Sequence, residues 1–166
     1  MCAAGVVLAL AVLLTVPCVR CVSVSNRKHP VERVLSRAAL DGFIISYTHS
    51  VNKGRVHDYY ACDGDMLVLD KTVFVSYGAG IPEASETDGA QFAVTDDGYV
   101  ITHLNRRLRQ LVMAVGVIAE HAITVRDTAD KKDKDVPLKT LFAPQTSLIL
   151  EIKKVPVLVY LFTKHI

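Results

Sequence analysis

From Phe43 onward the chain is a succession of short β-branched and aromatic runs, each ended by turn residues. The turns are Asn52-Lys53-Gly54, Asp63-Gly64-Asp65, Asp70-Lys71 and Asp96-Asp97-Gly98. Runs this short fit strands, and turns at such close spacing favour antiparallel neighbours. Strands are expected near 43–51, 55–62, 65–70, 72–78, 90–95, 98–102, 109–117, 121–126, 147–154 and 157–163. Leu104–Ile118 has a composition that also suits a helix, but Val112, Val115, Val117 and Ile118 with Gly116 favour a strand. The pattern predicts a mainly β fold, a small antiparallel β-sandwich or barrel-like domain, over residues 43–166. A chain of 166 residues that is 51% apolar is one domain with enough material for a core.

The N-terminus follows a different rule. Ala3 to Val16 carries no charge, and only Gly5 and Thr15 interrupt its apolar run. That length matches the core of a signal peptide and is slightly short for a membrane span. Ser23 and Ser25 place small residues at minus three and minus one of a cut before Asn26. Residues 1–25 are therefore expected to be a signal peptide or signal anchor, the only contact with the membrane. Arg20, Arg27 and Lys28 would be the charges flanking an uncleaved anchor. Lipid attachment at Cys18 or Cys21 is disfavoured by Pro17 and Arg20 before them. The expected location is the periplasm or the outer face of the cytoplasmic membrane. Residues 26–42 carry Val31, Val34, Leu35 and Ala38 at helical spacing, with Pro30 at the start and Gly42 at the end. They predict a short helix or linker. With the leader gone only Cys62 would remain, so no internal disulfide is expected.

Several functions are excluded or unsupported. A formal charge of +2 and no basic aromatic face argue against nucleic-acid binding. Residues 78–90 (GAGIPEASETDGA) are glycine-rich, but no Gly-Lys-Ser/Thr follows, so this is not a phosphate loop. No motif calls for a cofactor. The closing run Val155 to Phe162 is too short to cross a bilayer and is expected to be a core strand.

The densest chemistry lies in residues 43–60, FIISYTHSVNKGRVHDYY. Read as a hairpin with a three-residue loop at Asn52-Lys53-Gly54, it sets His49 opposite His57. A two-residue loop sets His49 opposite Asp58 instead. The first register could give two metal ligands. The second gives an imidazole oriented by an acid. In the first register Ser50 and Asp58 share the face opposite the two histidines, which argues against a Ser-His nucleophile. Arg107, beside Arg106, could clamp a carboxylate. No residue is singled out as catalytic or as a committed metal ligand.

Thr48-His49-Ser50-Val51, the Asp58-Tyr59 segment and Gly78-Ala79-Gly80-Ile81-Pro82 together resemble the bacterial domain of unknown function family DUF1850. Asp97-Gly98 and the strands around Arg107 and His121 extend the resemblance over about Gly42 to Val125. It implies an exported or membrane-anchored accessory protein, often encoded beside TAXI-type TRAP transporters, with no assigned reaction. The expected role is solute uptake through binding of TRAP transporter subunits or a small carboxylate solute. The residues expected to carry binding are His49, Ser50, His57, Asp58, Tyr59, Gly78, Gly80 and Arg107. A metal-dependent enzyme built on His49 and His57, or a purely structural envelope module, are the alternatives.

Overall fold

The computed structural model describes residues 14–50, 53–76, 88–96, 98–126 and 132–166. It is mainly β. The strands are β1 (Pro17–Asn26), β2 (Arg33–Ser36), β3 (Phe43–Thr48), β4 (Arg55–Asp63), β5 (Met66–Phe74), β6 (Gln91–Thr95) and β7 (Gly98–Thr102). They continue with β8 (Arg106–Leu108), β9 (Gln110–Ala114), β10 (Ala122–Arg126), β11 (Asp133–Pro137), β12 (Ser147–Pro156) and β13 (Lys164–His165). One short helix, α1 (Val157–Phe162), lies between β12 and β13.

The strands form two open sheets, not a closed barrel. One has the order β13-β2-β1-β12-β9 and the other β11-β10-β3-β4-β5-β7-β6, with β8 also on β5. Every pairing is antiparallel except that of β13 on β2. The two sheets share one core. Val22, Val24, Leu148 and Leu150 come from the first, and Phe43, Ile45, Val56, Leu67, Phe74 and Ile101 from the second. Alternation in β12 shows the cause: Leu148, Leu150 and Ile152 are buried while the residues between them are not.

Two sequence expectations are corrected here, at residues 26–42 and in the last apolar run. Residues 26–42 do not form the expected short helix. Val34 and Leu35 are buried in strand β2, and a single 3₁₀ turn, Ala38–Asp41, leads to Gly42. Residues 17–25, read as the end of the leader, form most of β1, the middle strand of its sheet. Their alternation Val22-Ser23-Val24-Ser25 is a strand signal, and Val22 and Val24 enter the core. The last apolar run splits: β12 ends at Pro156 and Val157–Phe162 turns into α1 rather than a core strand.

Strand β5 absorbs both segments 65–70 and 72–78 up to Phe74. Tyr59 pairs with Lys71 while Tyr60 pairs with Leu69, so Asp70 is an extra residue, a bulge. On one side of the bulge β5 pairs with β8, on the other with β7. Gly98 opens β7 at φ 121°, and a Cβ there would lie 2.6 Å from the Phe74 carbonyl oxygen. That backbone region is essentially reserved for glycine. Gly98→Ala is expected to cost about 2 kcal/mol, measured by denaturant unfolding.

Candidate functional site

The β3–β4 hairpin is joined by a longer loop than either expectation. Thr48 pairs with Arg55, so His49–Gly54 is a six-residue connection. The His49 amide donates to the Gly54 carbonyl at 2.8 Å, and the Lys53 amide to the His49 carbonyl at 3.1 Å. Lys53, not Gly54, takes the left-handed conformation, at φ 58°. This loop sets Ser46 opposite His57, Ile45 opposite Asp58 and Tyr47 opposite Val56. Neither His49–His57 nor His49–Asp58 forms a cross-strand pair. Because side chains alternate, the new register reverses which face of β4 joins which face of β3.

Phe43, Ile45 and Tyr47 therefore share the core-facing side with Val56, Asp58 and Tyr60. The opposite side carries Ser46, Arg55, His57 and Tyr59. On this outer side Arg55, His57 and Tyr59 line a cleft of about 340 Å³ with Val73 and Val75. The size falls in the lower range for small-ligand sites, about 300–1,000 Å³.

Each polar wall of the cleft is braced. The Arg55 Nη1 donates to the Glu120 carbonyl at 3.1 Å and reaches Thr48 Oγ1 at 3.4 Å. Among the described residues no carboxylate pairs with Arg55. His57 Nδ1 lies 2.8 Å from the Ser46 hydroxyl. With the hydroxyl as donor, Nε2–H is left as the imidazole's own donor. Burial, then the Arg55 charge, pushes the His57 pKa down, while Asp135 opposes them. The imidazole is thus neutral at pH 7. Ser46 is itself buried, so its hydroxyl positions the ring and does not meet solvent. Lys71 Nζ sits 3.7 Å from the Tyr59 ring centroid, a cation–π contact across the β4–β5 pair.

The core-facing side holds a second polar group. Thr72 Oγ1 donates to Asp58 Oδ1 at 2.8 Å. Burial pushes the Asp58 pKa up to about 6, with the Thr72 bond acting against it. Tyr47 and Tyr60 are also pushed up, first by burial and then by the Asp58 charge, Tyr47 to about 12. Tyr60 stacks on Phe43 at 5.1 Å, and Tyr47 lies 5.6 Å from the His121 ring. The His121 Nδ1 accepts the Gly116 amide at 3.0 Å, which fixes its proton on Nε2. Burial and then Arg55 push the His121 pKa down.

Of the expected residues that are described, the structure brings only His57 and Tyr59 into one cleft. Asp58 lies behind them on the other face of the same strand. His49 is buried at the end of the hairpin, and the Ser50 carbonyl is capped by Lys53 Nζ at 2.8 Å. Arg107 does not face the cleft: on β8 it makes a 2.7 Å ion pair with Asp63. Gly78 and Gly80 lie outside the described residues. Among the described residues no group of three His, Cys, Asp or Glu side chains could hold a metal. Sequence reading passed over Ser46, Arg55 and Thr72. Their roles depend on register, which no local motif encodes.

The architecture defines an antiparallel two-sheet β domain with a cationic, imidazole-lined cleft on the outer face of the larger sheet. The domain of unknown function family DUF1850 matches residues 43–131, just over half the chain, and the chain belongs to that family. The matched stretch supplies β3 through β10. In the smaller sheet it contributes only β9, so β1, β2, β12 and β13 lie outside it. No curated protein and no solved structure matches the chain.

Proposed function

We propose that this protein is an exported accessory domain of solute uptake, sandwich-like in form, that binds a small carboxylate through Arg55, His57 and Tyr59. The observation that carries the reading is the outer-face cleft. It joins a guanidinium without a carboxylate partner among the described residues, a neutral imidazole and a phenol ring. A carboxylate suits this set: arginine offers paired N–H donors, and the imidazole Nε2–H adds a third. TRAP transporter subunits, at the periplasmic side of the cytoplasmic membrane, are the partners proposed for the loaded domain.

The test is a thermal-shift screen of small mono- and dicarboxylates, followed by titration calorimetry of the best ligand. Charge-assisted hydrogen bonds contribute about 1.5–3 kcal/mol, so Arg55→Ala is expected to weaken binding by roughly 10- to 100-fold. His57→Ala is expected to weaken it less. A ligand whose affinity is indifferent to Arg55→Ala, or no carboxylate ligand at all, would sink the proposal.

A further inference from the structure

The helix α1 is apolar on both sides, yet only one side is packed. Val159 and Tyr160 lie against a small cluster of Cys21, Leu35 and Val155 on the side of the sheet away from the main core. The opposite side presents Leu158, Leu161 at 64% exposure and Phe162 at 86%. None of the six residues Val157–Phe162 is fully buried. The helix is held in this pose by its ends. Thr163 Oγ1 donates to the Val159 carbonyl at 2.6 Å, and the His165 ring lies tilted against Tyr160, centroids 4.3 Å apart. Three large apolar side chains fixed outward form a surface that water alone does not explain.

The position of this surface says what covers it. Pro17 pairs with Pro156, the residue before α1. The described chain, which starts at Leu14, therefore enters the sheet directly beside the start of the helix, and Val16 is itself 46% exposed. Residues 17–25 and 152–166 carry Arg20, Lys153, Lys154 and Lys164 and no Asp or Glu. Arg20 and Lys154, opposite each other across the strand pair, project to the same side as Val22 and Ile152, away from α1, and Arg20 donates to the Gly64 carbonyl. On the α1 side, Arg33 and Arg37 lie close enough to Cys21 for their charges to act on its thiol. Lys153 is taken up by a 2.7 Å ion pair with Glu151, so the apolar residues dominate. Among the described residues no helix is long and apolar enough to cross a membrane, so α1 can only lie on one.

We propose that Leu158, Leu161 and Phe162 of α1 are a membrane-surface contact that lays this end of the domain into the lipid interface. Interfacial helices sink an apolar face about 5–10 Å into the headgroup and acyl boundary, with aromatic side chains at that level. Arg33, Arg37 and Lys164, on or near the α1 side, then meet anionic headgroups. The contact is independent of the carboxylate cleft, which lies on the other sheet.

The chain has no tryptophan, so Phe162→Trp creates a single fluorescent probe at an exposed position. The full chain carrying it is reconstituted in phosphatidylcholine–phosphatidylglycerol vesicles containing lipids brominated near the headgroup end of their acyl chains. The expected result is blue-shifted emission and loss of most of the intensity relative to unbrominated vesicles. Phe92→Trp, a probe 44% exposed on β6 of the other sheet, is expected to keep its intensity. Red-shifted, unquenched emission from the Phe162→Trp chain would show the face in water and overturn the proposal. Blue-shifted but unquenched emission would show it covered by protein, either the chain's own N-terminal run or a second copy, and would overturn it equally.

Discussion

A chain that begins at Asn26 is expected to be unfolded, whereas one that begins at Pro17 is expected to unfold cooperatively. Strand β1 stands between β2 and β12, so its loss divides the smaller sheet into β13-β2 and β12-β9. Val22 and Val24 are fully buried in the main core, and Cys21 is fully buried on the other side. Burial of one such side chain contributes about 1.5–3 kcal/mol, and two ladders of backbone hydrogen bonds go with them. A domain is held by only about 5–15 kcal/mol in all, so these losses exceed what it can bear. Leu148, Leu150 and Leu35 would also lose their sheet neighbour. Far-UV circular dichroism and thermal unfolding of the two chains decide the matter. A cooperative transition in the Asn26 chain at the temperature of the Pro17 chain would refute this account of β1.

The same argument bears on processing. A cut before Asn26 removes nine of the ten residues of β1, Pro17 to Ser25. Any removal of a leader that leaves the fold intact must occur upstream of Pro17. Cys18, Cys21 and Cys62 then all remain as free thiols. Cys62 donates to the Ala39 carbonyl at 3.4 Å, and its thiol is pushed up mainly by burial. That makes it a packed side chain rather than a nucleophile. Mass spectrometry of protein recovered from cells reports the start of the mature chain directly.

Why the strands were readable and the site was not is visible in two places. Val56, Tyr60, Leu67 and Leu69 declare strands by composition and spacing; β4 lies close to where it was expected, and β5 runs through two expected strands as one. Cross-strand partners depend on the connection, and Asn52-Lys53-Gly54 offered a tight turn. The chain instead closes the loop at His49, with two backbone hydrogen bonds to Lys53 and Gly54. The resulting register moves Asp58 inward, against the preference of a carboxylate for water. Local pattern could not show that Thr72, fourteen residues on, would supply a partner. At the N-terminus the ambiguity was of kind. Small residues near the end of an apolar run suit a leader's cut site, and alternating Val and Ser suit a strand. The strand reading of residues 17–25 needed β12, more than a hundred residues away, to be visible.

Asp58→Asn is expected to stabilise the protein at neutral pH and to leave its stability unchanged in acid. Burial raises the Asp58 pKa from 3.8 to about 6 in the folded state. Below about pH 4 the carboxyl is protonated in both folded and unfolded chains, and no penalty applies. Between about pH 4 and 6 the unfolded chain has released the proton while the folded one retains it, so stability falls as pH rises. Above that window both are ionised and the cost of a partly buried charge is fully expressed. A shift of this size corresponds to at most about 3 kcal/mol, and the side chain's residual exposure brings the expected gain nearer to about 2 kcal/mol. Asparagine keeps an oxygen for the Thr72 hydroxyl, so the hydrogen bond survives while the charge is removed. Urea unfolding of both chains at about pH 4 and about pH 8 gives the two differences to compare. A variant less stable than the parent at the higher pH would mean that a cation answers the carboxylate in the folded chain. Asp58 would then belong to a charged network within the domain, and the view of it as a lone acid held by Thr72 between two tyrosines would fail.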